Sequence, residues 1–240
     1  MNISFSGDTR DLFKFDLVRH IMKSFPGLAS FTLIPMLTDR EEPAKQKKSK
    51  KADLKKAVRA GKAGSQNREL MEQMGRLQEI KDDLDYLSGI RSYFRGENIL
   101  IDILHRDRFS HEHRVNYFKP VFDKFPERSL IFLDPDTGLE VKNPTQHHLL
   151  FDELRRIAET MDTRSVLMIY QHFPRETREG YVRQRCSQIA EVTGISPVSI
   201  TDNEIVFFLL AKSPKLREQL RDNVATYADT YPALRSCGCD

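Results

Sequence analysis

Short apolar runs, each closed by a polar or turn residue, recur along this chain and suggest its architecture. Ser129 to Leu133 (SLIFL) ends against Asp134 and Pro135, Ser165 to Tyr170 (SVLMIY) against Gln171 and His172, and Ile205 to Ala211 (IVFFLLA) against Lys212. Continuous runs of this length are expected where both faces of a sheet are covered. Phe31 to Leu37 and Asn98 to Leu104 are two further strand candidates, although Pro35 is awkward inside a central strand. Between these runs the apolar period lengthens. Arg10 to Phe25 places Phe13, Leu17, Val18, Ile21, Met22 and Phe25 on one stripe. Thr145 to Thr160 does the same with Leu149, Leu150, Leu154 and Ile157. Arg178 to Thr193 offers Tyr181, Val182, Cys186, Ile189 and Val192, with Gly194 as its stop. Strands alternating with helices predict a Rossmann-like α/β fold, a mostly parallel sheet with helices on both faces. Pro197 to Ile200 is separated from the last strand only by Thr201 to Glu204, which predicts an antiparallel hairpin at the edge of the sheet.

One stretch breaks this alternation. The chain of 240 residues is read as one domain, residues 1–240, with an insertion over residues 43–95. Its first part, Lys45 to Lys62, holds eight Lys and one Arg against the single acid Asp53. It reads as a basic, mobile arm that would grip nucleic-acid phosphates without reading sequence; a solvated loop is the plain alternative. Gln66 to Phe94 then repeats Leu70, Met74, Leu77, Ile80, Leu84 and Leu87 at three- and four-residue steps, which predicts one long amphipathic helix and a possible homodimer surface. A net charge of +3 adds little to this picture. Three cysteines make no disulfide framework, no apolar run is long enough to span a membrane, and the first residues lack a signal-peptide pattern. The expected location is cytoplasmic, with no membrane partner.

In open α/β sheets ligands sit beyond the carboxyl ends of the strands. The loop Asp134-Pro135-Asp136-Thr137-Gly138-Leu139 and the loop after Tyr170, with His172 and Arg175, are therefore the candidate site. Carboxylates hold amines, hydroxyls or metals, histidine moves protons near neutral pH, and arginine grips anions with two hydrogen bonds. Each has a plainer reading as well. Asp134-Pro135 and Thr137-Gly138 suit a turn, His172 suits a backbone carbonyl partner, and Arg175 suits a surface pair with Glu176 or Glu179. The stretch Ser6-Gly7-Asp8-Thr9-Arg10-Asp11-Leu12-Phe13-Lys14 is equally dense in chemistry. Asp8 or Thr9 would cap the first helix, and Asp11 with Lys14, three apart, would make a local ion pair.

Residues 6–14 resemble the opening of the J-type 23S ribosomal RNA adenine-N6 methyltransferases, with Gly7, Asp8, Asp11 and Lys14 on the matching positions. Leu133-Asp134-Pro135-Asp136 resembles that family's Asp-Pro-Pro-Tyr loop, and Ile169-Tyr170 with Pro174 is a weaker echo of its following strand. The resemblance implies that Gly7, Asp8, Asp11 and Lys14 line an S-adenosylmethionine pocket. It also implies that Asp134 accepts a hydrogen bond from the target amine; Asp136, His172 and Arg175 are candidate catalytic residues by their strand-end position alone. Two features depart from the family: no glycine follows the first strand, where Leu37-Thr38-Asp39-Arg40-Glu41-Glu42 stands, and the loop lacks its aromatic residue. Tyr170 or Phe173 would have to substitute for it.

Two other classes compete. Asp134, Asp136 and Glu140 would suit Mg²⁺ in a metal-dependent nuclease or phosphoesterase, with Glu140-Val141-Lys142 as a Glu-x-Lys motif and Asp102 its better-spaced partner. A non-enzymatic nucleic-acid-binding module would use the basic arm alone. His111-Glu112-His113, His147-His148 and Cys237-Gly238-Cys239 are assigned surface roles, since their spacing builds no closed metal site.

Overall fold

The computed structural model describes residues 7–38, 53–104, 107–123, 125–174 and 177–238. Arg175 and residues 45–52 of the basic arm lie outside them. Helix α1 (Thr9–Ser24) starts at Asp8, whose carboxylate accepts from the backbone N–H groups of Arg10 and Asp11. It leads into β1 (Ser30–Ile34), which stops where Pro35 brings no N–H to the ladder. The insertion supplies α2 (Leu54–Arg59), α3 (Arg68–Leu77) and α4 (Asp83–Gly96) before β2 (Ile101–Ile103). Then follow α5 (Arg114–Asp123), β3 (Ser129–Leu133), β4 (Gly138–Leu139), β5 (His148–Leu149), α6 (Phe151–Thr160), β6 (Val166–His172) and α7 (Arg178–Thr193). The chain closes with β7 (Val198–Thr201), β8 (Ile205–Leu210), α8 (Pro214–Thr230) and β9 (Arg235–Gly238).

The main sheet runs β2-β1-β3-β6-β8-β7-β9, and β4 pairs with β5 in a small parallel ladder of its own. β2, β1, β3 and β6 are mutually parallel, while β8 runs antiparallel to both β6 and β7. The expected Rossmann-like sheet is present, with its terminal hairpin. The hairpin is not the outermost element, because β9 pairs antiparallel along β7. Helices α1, α3, α4 and α8 pack on one face and α5, α6 and α7 on the other. The connection from β1 to β2 uses the first face, and the connections from β2 to β3 and on to β6 use the second. One hand of crossover serves both directions in this way.

The long helix expected over Gln66 to Phe94 is two helices. Asp82 breaks the run, its carboxylate accepting from the N–H groups of Leu84 and Asp85 to cap α4. After the break the apolar face rotates. Tyr86, Leu87, Ile90 and Phe94 enter the core beside Leu70, Met74 and Leu77, whereas Leu84 is 53% exposed. The stripe offered as a homodimer surface is largely used inside the chain, against α1 and β1. The helix expected over Thr145 to Thr160 begins only at Phe151, since His148 and Leu149 pair with Gly138 and Leu139. Helix α8 went unrecognised in the sequence, although Ser213 before Pro214 is a start signal. Among the described residues no helix is long and apolar enough to cross a membrane.

Phe94 is fully buried and stacks its edge near Phe15, Phe31 and Tyr93. Phe94→Ala should therefore cost about 3–5 kcal/mol in urea unfolding, whereas Leu84→Ala should stay within about 0.5 kcal/mol. A single continuous helix packed through Leu84 would reverse that contrast.

Candidate functional site

The sheet places its switch point between β1 and β3. The carboxyl end of β1 feeds the insertion on one face, and that of β3 feeds α6 on the other, which is where open α/β sheets form their ligand crevice. At the end of β1, Met36 takes a φ of 39°, in the left-handed region. Its N–H donates to the Tyr117 hydroxyl at 3.0 Å. A buried methionine thus makes the turn that glycine would make freely, at a cost of about 1–2 kcal/mol.

The two motifs singled out in the sequence meet at this crevice. Lys14 Nζ lies 3.0 Å from Asp134 Oδ2 and 3.3 Å from Asp11 Oδ1. It also sits 4.5 Å from the centre of the Tyr170 ring. Asp11 Oδ2 accepts from the Gly7 N–H at 2.9 Å and from the Tyr86 hydroxyl at 2.8 Å. The Gly7 carbonyl accepts from Gln78 Nε2 at 2.8 Å. A Cβ on Gly7 would lie 2.4 Å from the Met74 carbonyl oxygen, and its φ is +71°, so two constraints require glycine there. The insertion helices therefore hold the N-terminal motif in place.

The electrostatics follow from burial. Desolvation works against the Lys14 ammonium, but the carboxylates of Asp134 and Asp11 outweigh it and hold the group above its usual range. Burial pushes the Asp134 carboxyl up, with Lys14 opposing. Burial and then the Asp11 carboxylate keep the Tyr86 hydroxyl protonated, as its role as donor requires. Burial, followed by Asp11, pushes the Asp8 carboxyl up to about 6. At the rim Arg10 lies 3.9 Å from Asp8, and against the cost of burial its guanidinium is raised above its usual range by Tyr170 and Asp8.

The loop after β3 is held by a residue the sequence reading passed over. Gln171 Oε1 accepts from the Leu139 N–H at 2.8 Å, and its Nε2 donates to the carbonyls of Thr137 and His172. A Cβ on Gly138, whose φ is +125°, would meet the Gln171 side chain at 2.4 Å. Asp136 pairs with His147 Nδ1 at 2.8 Å and accepts from Thr38 Oγ1 at 3.5 Å, so His147 has a partner that its sequence neighbourhood did not reveal. His172 matches its plainer reading, with Nδ1 3.0 Å from the Phe173 carbonyl. Arg175 lies outside the described residues. Thus Gly7, Asp8, Asp11, Lys14 and Asp134 form one cluster, and Asp136 joins a neighbouring one with His147.

The metal reading finds its carboxylates engaged separately. Asp134 faces Lys14, Asp136 faces His147, and Glu140 Oε2 accepts from the Phe151 N–H to start α6. Asp102 is exposed on β2. Among the described residues no group of three His, Cys, Asp or Glu side chains is placed to hold a metal ion. The arm reading keeps Lys55, Lys56 and Arg59 exposed on α2. Lys62 is committed to the fold through Glu204 at 2.6 Å and Asp202 at 3.8 Å.

Two outcomes test this cluster. Lys14→Met leaves Asp11 and Asp134 buried without their shared cation and should cost about 3–5 kcal/mol in chemical unfolding at pH 7. For Asp8, the folded carboxyl keeps a proton that the unfolded one, at its ordinary 3.8, releases, up to about 6. Stability should therefore fall as pH rises from about 4 to 6. Asp8→Asn keeps the cap and should remove that slope, gaining about 1 kcal/mol at pH 7; an unchanged slope across unfolding curves at pH 4 to 7 would refute it. Compared with protein-family models, with curated proteins and with solved structures, the chain finds no match, so the site is read from its own chemistry.

Proposed function

We propose that this protein is a Rossmann-like methyltransferase that moves a methyl group from S-adenosylmethionine to an amino group in nucleic acid. The reading rests on one observation. Lys14, from the N-terminal motif, is bonded to Asp134, from the strand-end motif, at the switch point of the sheet. The resemblance had assigned those two motifs to cofactor and catalysis separately.

The residues suit the cofactor in charge. Three carboxylates, Asp8, Asp11 and Asp134, surround one buried ammonium, an excess of negative charge that favours a sulfonium and an α-amino cation. Asp8 would hold the amino group and Arg10 the carboxylate of the cofactor. Gly7 and Asp11, engaged by the insertion, would set the position of Lys14 instead. The bound cofactor would supply an electrophilic methyl group. Asp134 would accept a hydrogen bond from the attacking amine, with Lys14 holding that carboxylate in place. Asp134 has no exposed surface, so the amine reaches it on a local opening of the crevice. Exposed Lys55, Lys56 and Arg59 would meet backbone phosphates.

Calorimetric titration with S-adenosylmethionine, paired with methyl incorporation into RNA and DNA from labelled cofactor, tests the reading. The expected result is micromolar binding to the intact protein, weakened about tenfold or more by Asp8→Ala. Asp134→Asn should keep binding and lose methyl transfer by about 100-fold or more. Absence of binding to folded protein overturns the reading.

A further inference from the structure

Helix α7 turns two adjacent stripes inward. Val182, Cys186 and Ile189 enter the core beneath the sheet. Tyr181, Gln184, Arg185 and Gln188, at i, i+3, i+4 and i+7, instead line a groove of about 440 Å³. Its other wall includes Lys142, after β4, and Phe151, at the first turn of α6. The groove lies beyond the carboxyl ends of β3 and β6, the side of the sheet where ligands bind. It uses no residue of the Asp134 crevice.

The floor is built around a buried charge. Arg185 donates through Nε to the Tyr181 hydroxyl at 3.0 Å, and through Nη1 to the Glu140 carbonyl at 2.8 Å and Gln188 Oε1 at 2.9 Å. Because Oε1 of Gln188 is turned to Arg185, a ligand would meet its amide N–H groups. Gln184, one turn earlier, offers a second amide with both a donor and an acceptor. Half-buried Phe151 brings a ring, the buried Tyr181 ring is covered by the Arg185 guanidinium, and exposed Lys142 brings a cation to the rim. Lys142 and Arg185 outnumber the Glu140 carboxylate, which accepts from the Phe151 N–H, so the groove is positive in balance.

Amides that pair with the edge of a base, an aromatic ring that stacks on it, and a cation for a phosphate together define a ligand class. We propose that this groove binds a nucleoside 5′-monophosphate: the base lies against Phe151, its edge meets Gln184 and Gln188, and its phosphate meets Lys142. The volume is in the range of sites for ligands of that size. The site stands whether or not S-adenosylmethionine binds the crevice.

Amide NMR of the full chain, titrated with adenosine 5′-monophosphate, adenosine and inorganic phosphate, tests it. The expected result is saturable shifts confined to Lys142, Phe151 and Tyr181 to Gln188, with the monophosphate binding more tightly than adenosine or phosphate alone. Lys142→Glu, at an exposed position, should weaken the monophosphate about tenfold and adenosine little. Gln188→Leu should weaken both about tenfold, with its thermal unfolding checked in parallel. Shifts that do not saturate, that fall elsewhere, or that are unchanged in both variants would overturn the proposal. S-adenosylmethionine carries the same adenosine, so the two readings are told apart by where its shifts fall: at Asp8, Arg10 and Lys14 for the crevice, at Lys142, Phe151 and Gln184 to Gln188 for the groove.

Discussion

A lysine ammonium held in the protein interior between two carboxylates is the constraint around which this molecule is arranged. Lys14 belongs to α1 and Asp134 to the end of β3, so their bond fixes the helix to the switch point of the sheet. Burying three charges is expensive, and a pair of this kind adds little net stability compared with well-packed apolar side chains. Its effect is geometric. Any shift of α1 would strand an uncompensated charge, which makes one position of the helix far better than its neighbours.

That constraint draws the insertion into the site. Asp11 balances Lys14 only while Tyr86 and the Gly7 N–H satisfy its second oxygen, and Gly7 in turn is held by Gln78. The opposite side of α1 follows the same rule. Asp16 is buried and accepts from Tyr227, Tyr231 and Asn67. Two carboxylates on one helix thereby tie it to α4 of the insertion, to the loop before α3 and to α8. Helix α1 is consequently buried nearly all round, carrying both apolar and charged residues inward.

A second polar framework shapes the loops at the carboxyl end. Arg114 makes a two-pronged pair with Glu153 at 2.7 Å and also donates to the His148 carbonyl at 2.7 Å. Together with Gln171 it holds β4 and β5 in their short ladder, below which Asp134 remains enclosed. The aromatic groove beside α7 is a product of the same framework, since Arg185 takes the Glu140 carbonyl from that loop. The crevice and the groove are neighbouring consequences of how the strand ends are fastened.

The sequence determined the elements whose signals are local. The runs SLIFL, SVLMIY and IVFFLLA became β3, β6 and β8, Asp8 capped α1, and Gly194 ended α7, because burial on both faces and backbone hydrogen bonding act on neighbouring residues. Gly7, Asp8, Asp11, Lys14 and Asp134 were legible as chemistry for the same reason, as dense polar residues at element ends. Asp82 was a cap in plain sight, obscured by a heptad-like repeat that continued across it. Partners far apart in the chain carried no such signal. The bond from Lys14 to Asp134, the hydroxyl of Tyr86 on Asp11, the pairing of His147 with Asp136, the amide of Gln171 under Gly138 and the addition of β9 to the sheet were decided only by the tertiary structure. A side chain's residue type states what it can bond to. Which partner it meets is set by packing, which brings together residues that no pattern along the chain relates.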